Sequence, residues 1–146
     1  MNFAVMRFAP IVAACLVGFG WSGLVEADPL SFKVPLSGAR EIPPVETPAM
    51  GAADITYDTA TRVVSWVITY SGLSGPATAA HFHGPADPKT NAGVVVPVKE
   101  VTPGTLKGEA TLTDAQAADL EGGKWYFNIH TAANPGGVMR GQLVKQ

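Results

Sequence analysis

The chain has 146 residues, 47% hydrophobic and 15% charged, which is material for a single domain. Its net charge of −2 supplies no basic footprint for nucleic acid. Its one cysteine, Cys15, excludes a disulfide framework.

Residues 1–27 are predicted to be a secretory signal peptide. Arg7 precedes the apolar run "FAPIVAACLVGFGWSGLVEA", and Val25 and Ala27 form a small-residue cleavage pattern. A permanent membrane helix is the rival, weakened by Pro10, Gly18, Gly20, Ser22 and Gly23. Lipid attachment at Cys15 is a second rival, ranked lower because the apolar run continues past the cysteine. Cleavage after Ala27 leaves residues 28–146 as one β domain with no thiol and no membrane span, secreted or periplasmic. A domain of that size buries about two-thirds of its unfolded surface, enough for a core without cross-links.

The punctuation that follows is that of a β protein. "SFKVPLSG" (31–38) alternates apolar and polar residues, whereas "AREIPPVETPAMG" (39–51) carries three prolines and reads as a loop. "AADITYD" (52–58) and "RVVSWVITYSGL" (62–73) read as a hairpin. "ATAAHFHG" (77–84), "GVVVPVKEV" (93–101) and "TLKGEATLT" (105–113) are further strands. "TDAQAADLEGG" (113–123) opens with Thr113 and Gln116 in capping-box spacing and stops at Gly122-Gly123, which predicts one short helix. "KWYFNIHT" (124–131) and "GGVMRGQLVKQ" (136–146) complete the set. The expected fold is all-β, a Greek-key sandwich or barrel of seven to eight strands with one short helix.

Side chains alternate along a strand. Ala79, His81 and His83 therefore share one face, and Ala80 and Phe82 the other. Tyr126, Asn128 and His130 likewise share a face opposite Trp125, Phe127 and Ile129. The aromatic and aliphatic faces belong to a core. If the two strands are neighbours, the protein's three histidines converge on one patch outside it.

A His-x-His pair with a third imidazole offers three nitrogens, a set that favours copper, with zinc as the alternative, over calcium or magnesium. His81, His83 and His130 are the candidate metal ligands. Asn128 is placed to orient an imidazole from behind, and Arg140 and Glu41 are candidates for the same supporting layer, with Glu41 a candidate partner for Arg140. Met139 shares a face with Leu143, which places it in the core and not among the ligands.

No catalytic residue is identified. "SGLSGP" fails the nucleophile-elbow pattern at Pro76, and there is no glycine-rich phosphate loop. Tyr57, Trp66, Tyr70 and Trp125 read as packing residues.

The blocks "LSGAREIPPVETPAMGAADITYD", "VSWVITYSGLSG", "AAHFHGPA" and "GGKWYFNIHTAANPGGVMRGQL" together resemble the CHRD domain, named from the extracellular protein chordin. The resemblance spans roughly residues 32–143 and implies an all-β, secreted, single-domain bacterial protein. It says little about activity. The His-x-His pair is also similar in outline to that of Cu/Zn superoxide dismutase, although the residues for a second metal are missing, and the comparison is one of analogy.

Three functions follow from these residues. The first is a metal-binding protein that stores, delivers or sequesters copper. The second is an extracellular module that binds another protein and uses its histidines structurally. The third is a copper-dependent redox enzyme.

Overall fold

A computed structural model describes residues 29–145. The segment read as a signal peptide, with Cys15, lies outside these residues. The strands are β1 (Leu30–Ser37), β2 (Met50–Asp58), β3 (Val63–Ser71), β4 (Ala77–His83), β5 (Val94–Pro97), β6 (Thr105–Thr111), β7 (Trp125–Thr131) and β8 (Met139–Leu143). The single helix, α1, is Asp114–Glu121.

The strands form one eight-stranded sheet in the order β5-β4-β7-β8-β1-β2-β3-β6. All its pairs are antiparallel. β8 joins β1 through a single paired position, where Ser37 faces Arg140. Gly141 permits the close approach there, since a Cβ would lie 2.7 Å from the Pro35 carbonyl oxygen. The two halves then face each other in a nearly closed barrel. Trp66 of β3 lies 5.0 Å, centroid to centroid, from Phe82 of β4, although the two strands are far apart in the sheet order.

Local chemistry sets the turns. Between β2 and β3, the Asp58 carboxylate accepts from the backbone N–H groups of Ala60 and Thr61 at 2.8 and 3.1 Å. This Asx-type turn fixes the hairpin. Its register pairs Ile55 with Trp66 and Ala53 with Ile68, so both strands deliver apolar residues to the same face.

α1 covers the open edge of the barrel. Thr113 is its N-cap and forms the expected capping box with Gln116. Ala117 and Leu120 are buried, and Gln116 donates to the Val95 carbonyl at the β5 edge at 3.4 Å. Arg62 and Asp114 tie the helix to the β2–β3 turn. Loss of the cap in Thr113→Ala is expected to cost about 1 kcal/mol, measured by chemical denaturation.

The core follows the predicted faces. Phe32, Ile55, Trp66, Ile68, Ala80, Phe82, Trp125, Phe127, Ile129 and Met139 are all buried in one cluster. Phe82 is central, with ring centroids of Phe127 and Trp125 at 4.8 and 6.0 Å. Two strands are shorter than expected. β5 stops at Pro97 and β8 begins only at Met139. Pro97 has no N–H to give, and Gly136-Gly137 belongs to the turn between β7 and β8.

Candidate metal centre

β4 and β7 are neighbours, as the histidine pattern requires. His81 stands opposite Asn128, His83 opposite Tyr126, and Ala79 opposite His130. The ligand nitrogens of His81, His83 and His130 all lie within 4.8 Å of one another. All three point away from the barrel core, yet His83 and His130 are only 8% exposed. Loops 84–93 and 132–138 account for this, because each supplies a carbonyl to an imidazole.

His130 donates through Nδ1 to the Pro135 carbonyl at 2.9 Å. That bond consumes its one proton as a neutral ring and leaves a lone pair on Nε2. Nε2 lies 3.1 Å from His81 Nδ1. Two nitrogens bound about 2.0–2.1 Å from one ion at a tetrahedral angle stand about 3.3 Å apart, so this pair is already spaced for shared coordination.

His83 is held differently. Its Nδ1 faces the Ala92 carbonyl at 3.0 Å and its Nε2 faces Asn128 Oδ1 at 2.9 Å. Both partners are oxygens, so the neutral ring donates to one of them at a time and only the protonated ring satisfies both. Two nitrogens on opposite sides of one ion are at most about 4.2 Å apart, so the set must contract from its 4.8 Å spread to share an ion. The cluster is a closely spaced pair, whose His81 Nδ1 proton must leave when an ion binds, plus a third ring that must turn from its oxygen partner to join it.

The supporting layer centres on Tyr126. His83 stacks on its ring at 4.7 Å with an interplanar angle of 3°, and the Arg140 guanidinium carbon lies 3.4 Å from the ring centroid. β4 and β8 flank β7, so the two groups take the ring from opposite sides. Arg140 donates to Asn91 Oδ1 and the Thr90 carbonyl, both at 2.8 Å. Asn91 in turn donates to the Ile42 carbonyl at 3.1 Å, clipping loop 84–93 to the loop between β1 and β2.

Glu41 was expected as a partner of Arg140 or as a loop carboxylate in water. It is buried, and its influence on Arg140 is electrostatic, because the direct bonds of the guanidinium go to Asn91 and Thr90. Glu41 instead meets the Asn128 amide, over Gly137. Glu41 Oε1 is buried with no hydrogen-bond partner among the described residues, beside the Asn128 amide, which donates to the Gly136 carbonyl at 3.4 Å and meets His83 through Oδ1.

The model of the CHRD domain matches residues 32–143. The chain belongs to the CHRD family. No curated protein and no solved structure matches the chain. The CHRD match takes in all three histidines together with Glu41, Asn128 and Arg140.

Several participants in this CHRD domain were not foreseen from its sequence: Asn91, Gly137 and the carbonyls of Ala92 and Pro135. The carbonyls leave no side-chain signal. Gly137 was signalled by the "NPGG" turn, and Asn91 only by being a polar residue in a loop.

Burial lowers the pKa of His81, helped by the fields of His130 and His83. Burial also lowers that of His83, against the raising effect of its bonds to Ala92 and Asn128. Both rings therefore favour the neutral form that a metal needs. Burial pushes Glu41 up to about 7, against the lowering effects of Arg140, Asn128 and the Ile42 backbone.

These shifts act on stability in opposite senses. A raised carboxyl such as Glu41 contributes fully below its ordinary value of 4.5 and loses the contribution as pH rises through about 7. The depressed histidines contribute above their ordinary 6.5 and lose the contribution as pH falls below it. Glu41→Gln is expected to remove the first slope alone. Denaturation midpoints of the variant should decline less than those of the parent between about pH 5 and about pH 8.

Proposed function

We propose that this CHRD protein binds a transition-metal ion, with copper preferred, and works outside the cytoplasm as a secreted or periplasmic protein. The observation that carries the reading is the convergence of three imidazole nitrogens within 4.8 Å, two of them 3.1 Å apart. The cluster contains no carboxylate, which disfavours calcium and magnesium. Copper lies at the peak of the affinity order for nitrogen sites, and zinc is the alternative ion. The extracytoplasmic location is supported by the signal-like character of residues 1–27. Among the described residues, no helix is long and apolar enough to cross a membrane. Storage, delivery or sequestration suits a site with no acid or base identified beside it.

A second reading is favoured by the hydrogen bonds themselves. His83 faces an oxygen acceptor at each ring nitrogen and His130 donates through Nδ1, as in a structural network. On that reading the domain is an extracellular protein-binding module. Cu(II) titration of the parent chain and of His81→Ala separates the two. The metal reading expects saturable binding that the substitution weakens. Equal, weak binding by both chains would leave the structural reading standing.

A further inference from the structure

A cleft of about 510 Å³ opens between loop 84–93 and the loop between β1 and β2. Ile42, Pro44 and Pro88 form apolar walls, Arg40 and Lys89 stand beside them, and Glu41 and Arg140 contribute from the buried side. We propose that this cleft binds a small organic carboxylate, its acid group held between Arg40 and Lys89 and its apolar body against Ile42, Pro44 and Pro88. The inference is independent of the metal.

The charge balance supports an anion. Three cations line the cleft against one carboxyl, Glu41. Lys89 is exposed and has no bonding partner among the described residues. Arg40 gives one N–H group to the Pro35 carbonyl at 3.1 Å and keeps the remainder of its planar fork for a ligand, a shape that matches a carboxylate. Arg140 has its terminal nitrogens committed to Asn91 and Thr90, so it supplies field rather than bonds.

The apolar walls and the volume favour an organic acid over a bare inorganic anion. Ligand sites typically occupy about 300–1,000 Å³ and pair apolar lining with a few convergent polar groups.

Glu41 makes the proposal specific. Burial raises its pKa to about 7, so its charge fades as the solution becomes mildly acidic. An anion in the cleft should then be held more tightly. The other groups facing Glu41 are Arg140, which stays charged, and Asn128, behind which stands His83. Burial lowers the pKa of His83, and the Glu41 variant separates its contribution from that of Glu41.

The test is calorimetric titration of the full chain with sodium benzoate, with benzyl alcohol and inorganic phosphate as controls. Benzoate should bind saturably, several-fold more tightly at about pH 6 than at about pH 8. The paired rim substitution Arg40→Glu with Lys89→Glu should weaken it at least about tenfold. Glu41→Gln should flatten the pH profile. Equal binding of benzyl alcohol or phosphate would overturn the proposal. So would unchanged benzoate affinity in the rim variant, whose substitutions are exposed and leave the core intact.

Discussion

His130→Ala is expected to weaken Cu(II) binding by at least about 100-fold, since loss of a group that merely supports a ligand already costs about 10–100-fold. The ring is held in place before any ion arrives. The Pro135 carbonyl accepts from Nδ1–H at 2.9 Å, and Nε2 already faces His81 Nδ1 at 3.1 Å. Removing the ring destroys the closely spaced pair and leaves a protein donor set of His81 and His83. Competition against a chelator of known affinity measures the effect. The same variant should also lose about 1–3 kcal/mol of stability with metal excluded, because a buried ring and its bond to the Pro135 carbonyl are lost together. Weakened metal binding distinguishes a ligand from a purely structural histidine. Loss of stability alone would favour the protein-binding reading.

Gly137→Ala is expected to destabilise the fold by about 3 kcal/mol or more, from backbone strain and overpacking together. Gly137 has φ +129°, a conformation that L side chains rarely adopt. An added Cβ would overlap Glu41 Oε1 and sit 2.7 Å from Asn128 Nδ2. The damage would fall where Glu41 meets Asn128, beside His83, so metal affinity should drop with stability. Denaturation midpoints and metal titration on the same preparation check both. A variant as stable as the parent would mean that Glu41 and Asn128 do not meet over this glycine.

The β pattern was legible because alternation and turn chemistry are local. Phe82, Phe127 and Ile129 against His81, His83 and His130 could be sorted by strand phase alone. The cap at Thr113 was equally local, since its partner is three residues away. The adjacency of β4 and β7 was a condition that the sequence could state but not establish. They are separated by β5, β6 and α1, and only the three-dimensional sheet order unites them.

The burial of His83 and His130 was less legible. Facing away from the core ordinarily means facing water, and here loop carbonyls intervene. Glu41 shows the same limit. A carboxylate in a proline-rich loop carries no mark of burial, and its place over Gly137 depends on a turn nearly a hundred residues further along the chain. Arg140 called for a partner, and a carboxylate was the natural choice. Its bonds go instead to a side-chain amide and a backbone carbonyl, with an aromatic face alongside.

The nitrogen hyperfine pattern in the electron paramagnetic resonance spectrum of Cu(II) bound to the chain tests the shared site most directly. Three imidazole nitrogens are expected, from His81, His83 and His130, with one lost in His83→Ala. A spectrum that persists unchanged when all three histidines are replaced would place the ion elsewhere and contradict the account.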